Sequence, residues 1–197
     1  MWSGPGSVFS KRVGILEVRD PVSARTMPRE ISAGGVVVRQ ISGVWHVALI
    51  EPQRSEPHEE IPAPSTRPKK VTRRRSSAVL ALPKGLVDSG EKPQAAAVRE
   101  VLEETGVTAE PVTKLADNKY IYVRKWSDGE RVFKIVSFYL MNYVSGEIDN
   151  LASDMRIEVK RALWVPLADA PRQLAYGNER KMVRQALEYL ESRGGTG

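Results

Sequence analysis

Three glutamates at helical spacing, Glu100, Glu103 and Glu104, lie within the stretch Gly85 to Val107, GLVDSGEKPQAAAVREVLEETGV, and constrain this chain more than any other feature. The segment from about Pro93 to Thr105 reads as a helix. Proline suits its first turn, Gly106 suits the position just past its end, and Ala95, Ala96, Ala97 and Leu102 are good helix formers. Residues three and four apart stand one above another, roughly 5–6 Å between Cβ atoms, so the three carboxylates project from one face and repel. A divalent hard cation bound through oxygens turns that repulsion into attraction. The competing reading is a solvated acidic helix face, which explains most glutamate runs. Ahead of the helix, Leu82 to Glu91 is punctuated by Pro83, Gly85 and Gly90, so its backbone can bend closely around an ion or a phosphate.

Gly85, Glu91, Arg99, Glu100, Val101, Glu103, Glu104, Gly106 and Val107 fall in the register of the motif Gly, five residues, Glu, seven residues, Arg-Glu, aliphatic, any residue, Glu-Glu, any residue, Gly, aliphatic. On these residues the chain resembles the Nudix hydrolases. A solvated helix face accounts for the glutamates but not for Gly85, Arg99 and Gly106 at fixed offsets. The resemblance implies an α+β fold, an αβα sandwich with a mixed, partly antiparallel β-sheet between helices. It also implies hydrolysis of a nucleoside diphosphate linked to another group, by water attacking phosphorus with Mg²⁺ bound, or Mn²⁺ in its place. Glu100, Glu103, Glu104 and Arg99 would form the catalytic group, the glutamates as metal ligands with one of them a candidate base, joined by the backbone of Gly85. Arg99 would pair with Glu91 to brace the loop, a role suited to its planar fork of donors. Lys84, just before the motif glycine, would present a cation to phosphate oxygens.

The rest of the chain supports one domain. Its 197 residues and 41% hydrophobic content suffice for a single core. We divide it into an N-terminal arm at 1–29, a catalytic domain at 30–192 with a basic insertion loop at 51–77, and a tail at 193–197. With no cysteine and only His46 and His58, disulfides, thiolate sites and thiol nucleophiles are excluded, leaving oxygen-based metal chemistry. No stretch approaches the roughly 18 apolar residues of a spanning helix, and the N-terminus lacks a secretory apolar region. The expectation is a cytoplasmic protein without a membrane partner. The net charge of +6 suits a polyanionic small-molecule substrate. Six cations, Arg67, Lys69, Lys70, Arg73, Arg74 and Arg75, equal that surplus in number and lie in the insertion, which reads as a solvated loop or as an arm reaching polyphosphate. The absence of aromatics among them weakens nucleic-acid binding.

In order, Ile31 to Arg39 and Trp45 to Ile50 read as a hairpin across Ser42-Gly43; the Nudix resemblance implies that the first strand runs beside the active site, with Gly34 and Gly35 leaving room for substrate. Ala78 to Leu82 reads as a short strand delivering Lys84. Lys119 to Val123 and Arg131 to Leu140 form a second hairpin around Ser127-Asp128-Gly129. There Tyr120, Tyr122, Phe133 and Lys134 are candidate pocket residues, set against the commoner role of cross-strand packing. A short helix starts at a capping Asp169, and a last helix opens at Asn178 with Met182, Val183, Ala186, Leu187 and Leu190 on a core-facing stripe. Three further positions come from the Nudix branch that cleaves dinucleoside polyphosphates, which this region resembles. Glu158, ahead of a strand holding Trp164, would be a further metal ligand or base, although the usual following His is Val159 here. Glu147 is the other candidate. Tyr176 and Arg180 would lie near the distal part of the substrate.

The expected function is a divalent-metal pyrophosphohydrolase, foremost on dinucleoside polyphosphates such as diadenosine tetraphosphate. Diphosphoinositol polyphosphates and oxidised nucleoside triphosphates follow within the same class. A nucleotide-sensing or nucleic-acid-binding module is the rival of another class. Sensing modules of this type usually lose motif carboxylates, and this chain keeps them. The oligomeric state is open.

Overall fold

The structure is a computed structural model and describes residues 27–53, 79–124 and 129–194. The arm up to residue 26, the cationic run at 67–75 and the Ser127-Asp128 turn lie outside the described residues.

Strand β1 (Arg29–Ile41) is buried on both sides from Ala33 to Val38 because it occupies the middle of the sheet. β5 (Glu130–Gly146) runs parallel along one edge of it, and β2 (Val44–Pro52) runs antiparallel along part of the other. With β4 (Val107–Arg124) and β6 (Val159–Pro166) the order is β4-β5-β1-β2-β6. One parallel pair among antiparallel ones makes the sheet mixed, as expected. Ser42 and Gly43, both at positive φ, close the β1–β2 hairpin in the backbone hand that suits strand twist.

The strands β1 and β2 part at their far ends, and the segment leading to the motif enters the gap. Ala81 and Ile50 exchange two backbone hydrogen bonds of 2.9 Å, Gly35 N–H donates to Pro83 O at 3.1 Å, and β3 (Lys84–Leu86) pairs with Ser32 to Gly34. Of the strand expected at Ala78 to Leu82, Ala78 lies outside the described residues and Val79 to Leu82 form no regular strand. Only isolated bridges form at Leu80 and Ala81, and regular pairing waits until Pro83, which has no N–H for a ladder, is passed. Gly34 and Gly35 make room for protein instead of substrate. A Cβ on Gly34 would meet Pro83 O and, at 2.6 Å, Lys84 Cβ; one on Gly35 would meet Val101 at 2.5 Å.

Alternation along β1 sorts the two cores. Ala33 and Val37 pack with α1 (Pro93–Thr105) through Ala96, Ala97 and Val101. Val36 and Val38 pack on the opposite side with Met182, Val183 and Ala186 of α3 (Gly177–Gly194). Each fully buried valine or leucine contributes about 1.5–3 kcal/mol, and helices on both faces give the expected sandwich. α2 (Ala170–Gln173) precedes α3, but the Asp169 side chain makes no capping hydrogen bond. β4 starts directly after Gly106, far earlier than Lys119. Register shifts around Pro111 and Lys114 break the alternation that would have announced it. Among the described residues no helix is long and apolar enough to cross a membrane.

Candidate active site

Helix α1 begins on Pro93 and ends at Gly106, whose positive φ of 77° lets its N–H reach Leu102 O at 2.8 Å. A side chain there would collide with the backbone of Glu147 and Asn150. Between these ends Arg99 ties loop to helix. Its Nε and Nη2 donate to the two Glu91 oxygens at 3.2 and 3.0 Å, Nη2 also reaches Leu86 O at 2.9 Å, and Nη1 donates to Glu100 at 2.7 Å and Glu103 at 3.0 Å. Arg99 holds Glu91 well below the usual carboxylate range, and the bracing pair expected from the motif is in place.

Glu100 packs over Gly85 so closely that a Cβ there would fall inside its carboxylate, which explains the glycine. Glu104 accepts the Lys84 backbone N–H at 2.6 Å. Burial raises both acids. For Glu100 the nearby Arg99 opposes that rise and Glu103 and Glu158 add to it. For Glu104 the rise reaches about 8, with Lys84 opposing and Glu100 and Glu158 adding. Glu91, Glu100 and Glu103 thus share the Arg99 guanidinium, while Glu104 has only Lys84.

Beside this face, on the α3 side of the sheet, opens a cavity of about 290 Å³. Strand register builds its floor in three rungs. Tyr120 lies opposite Lys134, which lies opposite Glu30; Asn118, Val136 and Ser32 form the next; Ala116, Phe138, Gly34 and Lys84 the last. Lys134 is ion-paired with Glu30. Glu158, Tyr176, Glu104 and Gly85 also line the space. The structure therefore brings together Lys84, Gly85, Glu104, Tyr120, Lys134, Glu158 and Tyr176. Tyr122 is elsewhere: it is buried, with its hydroxyl donating to Glu30 at 2.8 Å. Arg180 also points away, donating to Leu174 O and Ala175 O at 3.0 Å and so holding the turn that carries Tyr176. Phe133 and Glu147 are not on the cavity wall.

Glu179 is the residue that sequence reasoning passed over. It is 3% exposed, accepts the Leu82 N–H at 3.0 Å and pairs with Lys84 at 3.5 Å. Burial works against the Lys84 ammonium, but Glu179 and then Glu104 outweigh it and lift its pKa above the ordinary lysine value. In the sequence, Glu179 looks like a favourable acid in a helix first turn and nothing more.

Carboxylate oxygens are the donors here, and burial among neighbouring acids raises Glu100 and Glu104, so the donor set suits a hard divalent cation. Among the described residues no three acidic side chains already converge as a metal cluster. Arg99 occupies Glu100 and Glu103, and the Lys84 amide occupies Glu104.

The NUDIX domain model matches residues 66–186. MutT4 of Mycobacterium tuberculosis is 38% identical over 118 residues, 60% of this chain but 45% of that protein, so the match spans less than half of the relative's length. The RNA pyrophosphohydrolase of Roseobacter denitrificans is 34% identical over 110 residues, covering 50% of this chain and 68% of that one. Among solved structures, C. elegans Ap4A hydrolase superposes with a TM-score of 0.57 at 22% identity over 83% of this chain and 98% of its own, a likeness of fold. The unbroken motif, the mixed sheet between helices and a family match over more than half the residues agree, and the chain belongs to the Nudix hydrolase family.

Proposed function

We propose that this chain is a divalent-cation-dependent pyrophosphohydrolase that cleaves a nucleoside diphosphate linked to another moiety, with dinucleoside polyphosphates foremost. The observation that carries the proposal is one cavity wall on which Lys84 stands beside Glu104 and Glu158, a cation for phosphate oxygens next to acids for a metal. Glu100, Glu103 and Glu104 would hold Mg²⁺ or Mn²⁺, with Glu158 and the Gly85 backbone beside them. Such an ion neutralises the diphosphate and makes bound water more acidic.

The side chains carry the rest of the reaction. Phosphoryl transfer is mostly positioning and electrostatics, so a half-buried Lys84 fixed by Glu179 contributes by holding charge where phosphate oxygens lie. Arg99 keeps the loop and the helix face in register. Tyr120, Tyr176 and Lys134 border the space for the group beyond the diphosphate. Dinucleoside polyphosphates come first because Glu158 and Tyr176, the positions that resemble that branch, both line the cavity. The relative named RNA pyrophosphohydrolase adds RNA bearing a pyrophosphate bond as a further substrate class to test.

Product release from dinucleoside polyphosphates, nucleoside triphosphates, diphosphoinositol phosphates and such an RNA is the test, with Mg²⁺ and with Glu103→Gln alongside. Turnover of one class that vanishes in the variant is the expected result. Tight nucleotide binding with no turnover of any would replace the enzyme by a sensing module.

A further inference from the structure

Ser32 is 1% exposed, lines the cavity, and among the described residues its Oγ has no hydrogen-bond partner. A buried hydroxyl left unsatisfied costs about 1–3 kcal/mol, and such groups in folded proteins call for an explanation. Strand register supplies one. Ser32 of β1 lies opposite Val136 of β5, which lies opposite Asn118 of β4, and all three line the cavity. The rung thus runs hydroxyl, apolar, carboxamide. Phe138 on the next rung and Tyr120 on the one before flank it with aromatic surface.

We infer that the Asn118–Val136–Ser32 rung is a reading site for the polar edge of a nucleobase, with Ser32 Oγ and the Asn118 carboxamide as its hydrogen-bonding groups. A hydroxyl and a carboxamide can each donate and accept, and a flat apolar strip between them suits a planar ring. The inference deepens the proposed function and rests on the substrate entering this cavity.

Calorimetric binding of ADP, GDP, CDP, UDP and inorganic pyrophosphate, each with Mg²⁺, to wild type, Ser32→Ala and Asn118→Ala separates the base from the phosphates. Wild type should prefer one or two of the nucleotides. Each variant should weaken those about threefold to tenfold, the worth of one hydrogen bond, and leave pyrophosphate unchanged. Ser32→Ala should unfold at the same temperature as wild type or higher, because it removes a hydroxyl that the unliganded fold leaves unsatisfied. A purely structural serine would show the opposite, a lower unfolding temperature. Equal weakening of pyrophosphate, or unchanged nucleotide binding in both variants, overturns the reading site, as does faster turnover of a diphosphoinositol phosphate than of every nucleotide. Base-selective binding that depends on Ser32 without any hydrolysis supports the reading site while removing the enzymatic function.

Discussion

Glu51 and Glu104 are both buried carboxylates, 8% and 7% exposed, in opposite surroundings. Glu51, on β2, accepts from Lys160 at 2.8 Å and Arg161 at 2.7 Å, and those bonds, Lys160 first, hold its carboxyl below the usual range. Glu104, on α1, has the Lys84 amide and ammonium on one side and the acids Glu100 and Glu158 on the other, and burial lifts it to about 8. An acid placed for structure comes with its own cations. The acids of α1 have fewer, and with burial that imbalance is what the proposed cation would relieve.

The sharpest way to break this comparison is to neutralise each acid in turn. Glu104→Gln should lower turnover of the best substrate by about 10³ or more, because a cation ligand supports several kcal/mol of transition-state charge. Glu51→Gln should leave turnover within about twofold and instead lower the unfolding temperature by about 2–4 °C. Steady-state rates and thermal melts on the two variants give both readouts. A folded Glu51→Gln protein with no activity would end the distinction between the two regions.

A smaller effect is expected at Glu179, which belongs to both categories. It is satisfied like Glu51, by Leu82 N–H and Lys84, yet its partner faces the cavity. Glu179→Gln keeps an acceptor for Leu82 but removes the charge opposite Lys84. Stability should drop by about 1–2 kcal/mol, less than for a fully buried pair because Lys84 is partly exposed. The larger consequence is on KM, which should rise about tenfold at nearly constant kcat if Lys84 is held for phosphate binding in ground and transition state alike. A fall in kcat alone would move Lys84 from binding to chemistry.

The two regions also separate by pH. The folded-state value of Glu104 is raised from 4.5 to about 8, so the fold prefers the protonated acid. The resulting penalty is absent below about pH 4.5, grows as pH rises toward 8, and stays constant above. Glu51 is shifted down from 4.5, so its contribution is present above that value and lost as pH falls through its folded pKa. Melts without divalent cation should therefore show a decline between pH 5 and 8 that Glu104→Gln flattens and added Mg²⁺ offsets. An unchanged slope in Glu104→Gln would assign the decline to another group.

What was legible in the sequence follows from distance along the chain. Arg99, Glu100, Glu103, Glu104 and Gly106 interact within a helix and its flanking loop, where fixed spacing translates directly into geometry. Gly85 was legible as a motif position, although only packing shows that Glu100 needs the missing Cβ. Glu179 meets Leu82 across 97 residues and Ser32 meets the cavity through a three-strand register, and no local pattern carries either relation. The smallness of Gly34 and Gly35 is visible in the sequence, and with the Nudix resemblance it points to space for substrate, but their neighbours, Lys84 and Val101, are visible only in the fold. β4 escaped because bulges break the two-residue period on which strand recognition depends.

Tyr122 gives the smallest effect and the finest test of the same comparison. It shares a hairpin with Tyr120, and either tyrosine reads as a candidate to stack a base. Register puts them on the same face of β4, ring centroids 6.5 Å apart, but on successive rungs: Tyr120 opposite Lys134 on the cavity wall, Tyr122 opposite Val132, off the wall, with its hydroxyl on Glu30. Glu30 in turn holds Lys134 in an ion pair, so Tyr122 supports the cavity wall from the neighbouring rung. Tyr122→Phe should cost about 1 kcal/mol of stability, the net worth of one hydrogen bond, with kcat/KM within about twofold of wild type. Tyr120→Phe keeps its ring on the wall and should leave a stacked base in place, whereas Tyr120→Ala should weaken nucleotide binding without weakening pyrophosphate. A Tyr122→Phe variant that loses nucleotide affinity at full stability would mean that the hydroxyl, and not the Glu30 bond it makes, faces the substrate.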